Sequence, residues 1–144
     1  MYLVSACLAG FNTRYDGKNN TDERVRKLVA KGLALPVCPE QLAGLPTPRV
    51  PVEFKGGDGA DLLDGKRKAT GEDGADYSGA LKKGASEVFA IAALYGVKEA
   101  ILKDGSPSCG VTYVYSNGVR VPGRGVTAEA LNRNGIKVKN VDSL

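Results

Sequence analysis

The chain has three cysteines, and each follows an apolar run. Tyr2-Leu3-Val4-Ser5-Ala6 leads into Cys7, and Leu33-Ala34-Leu35-Pro36-Val37 leads into Cys38-Pro39-Glu40. Ala100-Ile101-Leu102-Lys103 leads through Asp104-Gly105 into Ser106-Pro107-Ser108-Cys109-Gly110. Short apolar runs bounded by Gly and Pro read as buried strands. In parallel α/β sheets, ligands bind outside the carboxyl ends of the strands. All three thiols therefore share one structural address, and the reading is a single three-thiolate site.

Its chemistry follows from the donors. An odd number of cysteines cannot all be paired in disulfides. Closed structural zinc takes four Cys or His ligands, and these spacings lack the two-residue gap of zinc knuckles. Three thiolates suit a [4Fe-4S] cluster in which one iron lacks a protein ligand. Such an iron can act as a Lewis acid toward a soft atom such as sulfur. Against this stands a plainer reading, three small buried apolar side chains at strand ends. Glu40, two residues past Cys38, and Ser106, three before Cys109, supply a carboxylate base and a hydroxyl proton carrier for the same cavity. Loop-capping carboxylate and turn serine are the plainer roles for those two. Histidine is absent, which excludes Ser-His-Asp and Cys-His catalysis and His-containing zinc sites.

The elements that must position these groups are legible in order. The first strand (3–6) passes through a polar loop to a helix with the stripe Val25, Leu28, Val29. Asn20 or Thr21 is the expected cap, with Glu23 in capping-box spacing from Asn20. Gly32 stops the helix and a second strand (33–37) follows, giving a right-handed βαβ unit. Leu45-Pro46-Thr47-Pro48-Arg49-Val50-Pro51 is neither helix nor central strand and is expected to lie extended over the sheet edge near the site. Gly56-Gly57-Asp58-Gly59 reads as a flexible turn, and a small hairpin is expected around Asp64-Gly65. Gly65-Lys66 is not a phosphate loop, because Arg67 stands where Ser or Thr is needed. The longest helix (76–95) carries Leu81, Ala85, Val88, Ile91, Ala92 and Tyr95 on one face, and a third strand (97–103) follows Gly96. Asn117-Gly118 marks a hairpin, Thr127 is the expected cap of the last helix (128–133), and 136–138 forms a fourth strand.

The fold expected is a single-domain (1–144), Rossmann-like three-layer α/β architecture: a parallel sheet of about four strands with flanking helices and small β-hairpins. At 144 residues and 42% apolar content the chain suits one soluble domain. No apolar run approaches the ~20 residues of a membrane span. The start of the chain lacks an export signal, so a cytoplasmic protein is expected. A net charge of +4 permits an anionic partner but demands none, since no Lys/Arg cluster interleaves with aromatics.

Six ordered blocks carry a resemblance. They are Val4-Ser5-Ala6-Cys7-Leu8, Arg14-Tyr15-Asp16-Gly17, Pro36-Val37-Cys38-Pro39-Glu40, Gly44-Leu45-Pro46-Thr47-Pro48-Arg49, Ser106-Pro107-Ser108-Cys109-Gly110 and Pro122-Gly123-Arg124-Gly125-Val126-Thr127. Together, over essentially the whole chain, they resemble the thiouracil desulfidase family. The resemblance implies an oxygen-sensitive [4Fe-4S] cluster held by Cys7, Cys38 and Cys109, with Glu40 and Ser106 as the catalytic pair. It further implies non-redox removal of sulfur from thiolated pyrimidines such as 2-thiouracil and thiouridines, C=S becoming C=O with release of hydrosulfide. Tyr15, Asp16 and Arg49 are candidates for holding the substrate. A small thiopyrimidine is favoured over tRNA, since no appended RNA-gripping domain is visible. The loop 56–74 is richer in Gly and Asp than the family pattern, and the hairpin at Asn117-Gly118 is shorter. A zinc or iron hydrolase on the same thiolates, and a non-catalytic iron–sulfur carrier or sensor, are the competing functions.

Overall fold

The computed structural model describes residues 1–144. Alternation along the apolar runs sets its layers, since successive strand residues face opposite sides. In β1 (Tyr2–Ser5), Leu3 faces one cluster with Val88, Ala92, Ala128 and Leu131, while Val4 faces another with Leu8 and Val25. The first cluster belongs to α4 (Ser78–Leu94) and α5 (Val126–Arg133), the second to α1 (Glu23–Ala30). Between them lies a fully parallel sheet in the order β2-β1-β5-β8, with β2 at Ala34–Val37, β5 at Glu99–Leu102 and β8 at Lys137–Asn140. Pro36 sits in β2, an edge strand, where its missing N–H removes no ladder bond. No helix is long and apolar enough to cross a membrane.

The hairpins amount to more than expected. β3 (Val52–Phe54) pairs antiparallel with β4 (Ala69–Gly71), and β6 (Tyr113–Ser116) pairs antiparallel with β7 (Val119–Pro122). A parallel contact at Phe54 and Ser116 joins them into a second four-stranded sheet, β4-β3-β6-β7. Phe54, Leu62, Leu81, Val114 and Val126 form its core. α4 reaches both cores, its first half packing on this sheet and its second half on the parallel one.

Local expectations are corrected in three places. The turn expected at Gly56–Gly59 is confined to Gly56 and Gly57, both at positive φ, because Asp58 already caps α3 (Gly59–Leu63) in a reciprocal capping box with Asp61. The 64–65 turn therefore ends this helix, inside the longer β3–β4 hairpin. α1 is capped by Asp22, whose carboxylate accepts from the Arg24 amide, and not by Asn20 or Thr21. The amides of Asn20 and Asp22 donate to the Cys7 and Leu8 carbonyls, holding that stretch extended until residue 23. α5 begins at Val126 without a side-chain cap, so Thr127 lies inside its first turn. The Pro107 and Ser108 carbonyls accept from the Val126 and Ala128 amides instead.

Candidate active site

Each cysteine emerges where a strand of the parallel sheet ends. Cys7 sits in a single 3-10 turn (Ala6–Ala9) directly after β1. Cys38 is the extended residue between β2 and α2 (Pro39–Leu42), and Pro39 at the first helical position sets the turn that aims Glu40. Cys109 follows β5 across the 103–108 loop. All three are free thiols, and all three line one cavity of about 870 Å³ with Glu40, Arg49, Ser106, Tyr15, Lys103 and Tyr115.

Backbone close approaches fix the two segments that carry Glu40 and Ser106. A β-carbon at Gly84 of α4 would collide with the Pro39 carbonyl, so the Cys38–Glu40 corner rests directly on helix backbone. A β-carbon at Gly125 would meet the Ser108 carbonyl at 2.5 Å, and this seats the 106–109 loop on the start of α5. From the other side Asp104 draws the loop together. Its Oδ1 accepts from the amides of Gly105 (3.1 Å), Val111 (2.9 Å), Thr112 (3.0 Å) and Tyr113 (3.2 Å). Its Oδ2 accepts from the Thr112 hydroxyl and from Asn140 Nδ2 (2.8 Å) of β8. Burial opposes charge on Asp104, but hydrogen bonds from Thr112, Asn140 and the Val111 amide outweigh it and hold the carboxyl below the usual carboxylate range.

Every thiol has a donor beside it. Ser5 Oγ accepts from the Lys103 amide at 2.9 Å, leaving its O–H for Cys109. Asn20 Oδ1 accepts from Arg14 at 2.9 Å, leaving its Nδ2 for Cys7. Arg49 Nη2 lies 3.9 Å from Cys38 Sγ. Burial pushes the Cys7 thiol up, against the hydrogen bond of Asn20 and the charges of Lys103 and Arg14. Burial pushes Cys109 well up, with Ser5 opposing and the neighbouring Cys7, Cys38 and Glu40 adding to it. The three sulfurs are thus close enough to repel one another when ionised.

The donor set fits an iron–sulfur cluster better than a lone ion. A tetrahedral zinc with bonds of ~2.3 Å needs its sulfurs about 4 Å apart, and no three His, Cys, Asp or Glu side chains stand close enough to hold one ion. A four-iron cluster would take each thiolate on a different iron, and Cys7, Cys38 and Cys109, free thiols lining one cavity, would supply them.

The acid–base candidates differ in freedom. Glu40 is 12% exposed and accepts from Arg49 Nε at 3.3 Å. Ser106 Oγ accepts from the Ser108 and Cys109 amides, both at 3.1 Å. Its lone pairs are engaged, and its hydrogen remains to donate. Tyr15 is on the wall and 44% exposed. Asp16 is off the wall, paired with Arg14 at 3.0 Å and accepting from the Lys18 amide. Arg49 is on the wall, its side chain only 6% exposed. Sequence reasoning missed Asp104, Lys103, Asn20 and Tyr115. An Asp before Gly at a strand end gave the only hint of the first, and it reads equally as an ordinary turn.

Known proteins are similar to this chain along nearly its whole length. The chain is 40% identical over 147 aligned residues to the uncharacterised protein YbbK of Bacillus subtilis (strain 168), covering 100% of this chain and 97% of that one. It superposes with a TM-score of 0.87 and 37% identity on the [4Fe-4S]-dependent thiouracil desulfidase TudS, covering 99% of this chain and 91% of the other. The family model described as 2-thiouracil desulfurase matches residues 2–143; the chain belongs to the 2-thiouracil desulfurase family.

Proposed function

We propose that the chain is an iron–sulfur-dependent desulfidase that converts C=S to C=O in thiolated pyrimidines, consuming water and releasing hydrosulfide. The observation that carries the reading is the shared cavity, lined by three free thiols, a carboxylate and a hydroxyl with a free proton. Cys7, Cys38 and Cys109 would hold the [4Fe-4S] cluster. When bound, the cluster supplies a Lewis-acidic iron that polarises a thiocarbonyl through its sulfur. Glu40 accepts a proton from water as that water attacks the thiolated carbon. Ser106 donates its remaining O–H toward the ring nitrogen, and the two amides on Oγ stabilise negative charge developing there. Tyr15, an exposed aromatic on the cavity wall, would help hold the pyrimidine.

The substrate class extends in this reading to thiouracil bases, thiouridine nucleosides and nucleotides in preference to tRNA. An open cleft of about 870 Å³ accommodates a molecule of that size. Three unpaired thiols suit a reducing, cytoplasmic setting. The zinc-hydrolase alternative is weakened because no three His, Cys, Asp or Glu side chains are grouped to hold one ion.

Anaerobic purification with iron and sulfide assays, then incubation with 2-thiouracil and 4-thiouridine, tests the proposal. Sulfide should appear with each substrate that fits. Glu40→Ala should keep the brown chromophore while turnover falls at least about 100-fold; undiminished turnover removes Glu40 from the mechanism. Alanine at any one of the three cysteines should cost the chromophore, and a variant that loads iron fully overturns its assignment as a ligand.

A further inference from the structure

We propose that Arg49 is a positioning residue that locks Glu40 to Cys38, and that it does not bind substrate. A guanidinium carries five N–H donors, and here all five have protein acceptors. Nε donates to Glu40 Oε1 at 3.3 Å. Nη1 donates to Thr47 Oγ1 at 2.8 Å and to the Pro46 carbonyl at 3.3 Å. Nη2 donates to the Thr13 carbonyl at 2.7 Å and faces Cys38 Sγ at 3.9 Å. Nothing is left to donate to a ligand, although the side chain lines the cavity.

The acceptors belong to three segments distant in sequence: the loop after Cys7, the Cys38–Glu40 corner and the proline-rich strap. The strap is itself anchored, its Arg49 amide donating to the Tyr15 carbonyl at 2.8 Å. Cys38 Sγ also reaches the Thr13 carbonyl at 3.8 Å, so sulfur, carbonyl and guanidinium form one closed set. With a side chain that is 6% exposed, the ion pair is little screened by water. Lysine would keep the charge but not the planar fork that reaches these acceptors together. Arg49 thus fixes the carboxylate that takes the proton relative to the sulfur that anchors the cofactor.

This inference rests on Glu40 as base and Cys38 as ligand, and the experiment separates the two. Arg49→Lys and Arg49→Ala are compared with Glu40→Ala in loaded protein, reading kcat, KM for 2-thiouracil and calorimetric affinity for the product uracil. A crystal structure of cluster-free Arg49→Lys reads the Glu40 side chain directly. Misplacement of a catalytic group costs on the order of 100-fold. Arg49→Lys should therefore lose about 100-fold in kcat with KM and uracil affinity unchanged within about twofold, because no substrate contact is removed. Glu40 should be turned from its wild-type orientation, and methylguanidine should restore turnover to Arg49→Ala. A raised KM with weakened uracil binding and intact kcat makes Arg49 a substrate-binding residue and overturns the proposal. So does unchanged kcat in Arg49→Lys while Glu40→Ala is inactive. If Glu40→Ala keeps its turnover, the underlying reading fails first.

Discussion

Replacing Asp104 tests whether one half-buried carboxylate holds the loop that presents Ser106 and Cys109. Six donors converge on it, four of them backbone amides from residues 105–113. Hydrogen bonds to a charged acceptor contribute about 1.5–3 kcal/mol each when isolated from water. Simple addition overstates the effect, since one oxygen is shared among four amides and partial exposure screens the charge. Asp104→Asn keeps the shape and an acceptor oxygen but turns an amide donor toward Asn140 Nδ2, itself a donor. A loss of about 2 kcal/mol is expected, and about 4 kcal/mol for Asp104→Ala, which leaves the amides to water. In a chain of this size that corresponds to a fall in Tm of roughly 4–8 °C for Asn. Urea unfolding of the cluster-free protein, followed by far-UV circular dichroism, should show a lower midpoint with an unchanged slope. The pH dependence has a definite sign. The folded carboxyl is held below its ordinary value, so the folded state binds fewer protons than the unfolded one. The stabilisation is complete above about pH 4, the ordinary carboxyl value, and is lost as pH falls below it. Wild type and Asp104→Asn should therefore converge in acid. A loss under about 0.5 kcal/mol at pH 7, or a difference that persists undiminished in acid, refutes the reasoning.

Two further substitutions probe the packing beneath the site. Gly84→Ala drives a methyl group into the Pro39 carbonyl, and overpacking of this kind costs about 1–3 kcal/mol; reduced iron content per chain at equal expression, with a lower Tm, is the expected result. Thr127 Oγ1 is fully buried without a hydrogen-bond partner, so Thr127→Val should stabilise the chain by about 1 kcal/mol, read as a rise in the urea midpoint.

The thiol site was legible because its signal is local. Each cysteine follows a strand-like run, and parallel strands share one carboxyl edge, so linear order sufficed to bring Cys7, Cys38 and Cys109 together. Glu40 and Ser106 were legible for the same reason, each lying within three residues of a cysteine. What escaped depends on partners remote in sequence. The cap of α1 moved to Asp22 because the Cys7 and Leu8 carbonyls hold the preceding amides. Thr127 failed as a cap because the Pro107 and Ser108 carbonyls took that role. Arg49 is a candidate for holding the substrate on sequence, and the proposal that it positions Glu40 instead rests on contacts between segments far apart in the chain. Its donors are claimed by Thr13, Glu40 and Thr47, and those claims exist only after folding.

The two sheets divide the labour unequally, and the division explains how the cavity can be both rigid and accessible. Cys7, Cys38, Cys109, Glu40 and Ser106 all lie beyond ends of the parallel sheet, which is covered by α1 on one face and by α4 and α5 on the other. Strand ends buried on both faces have little freedom, as electrostatic preorganisation requires. The second sheet adds Tyr113 and Tyr115 to the cavity wall, with Arg120 stacked on the Tyr113 ring at 3.6 Å. Tyr115 is 45% exposed. The two sheets meet through α4 and through the 104–113 segment, which runs from β5 into β6. The second sheet thus bears on the Cys109 loop from both ends, through the Asp104 clasp before β6 and through Gly125 after β7, whose amide donates to the Gly110 carbonyl.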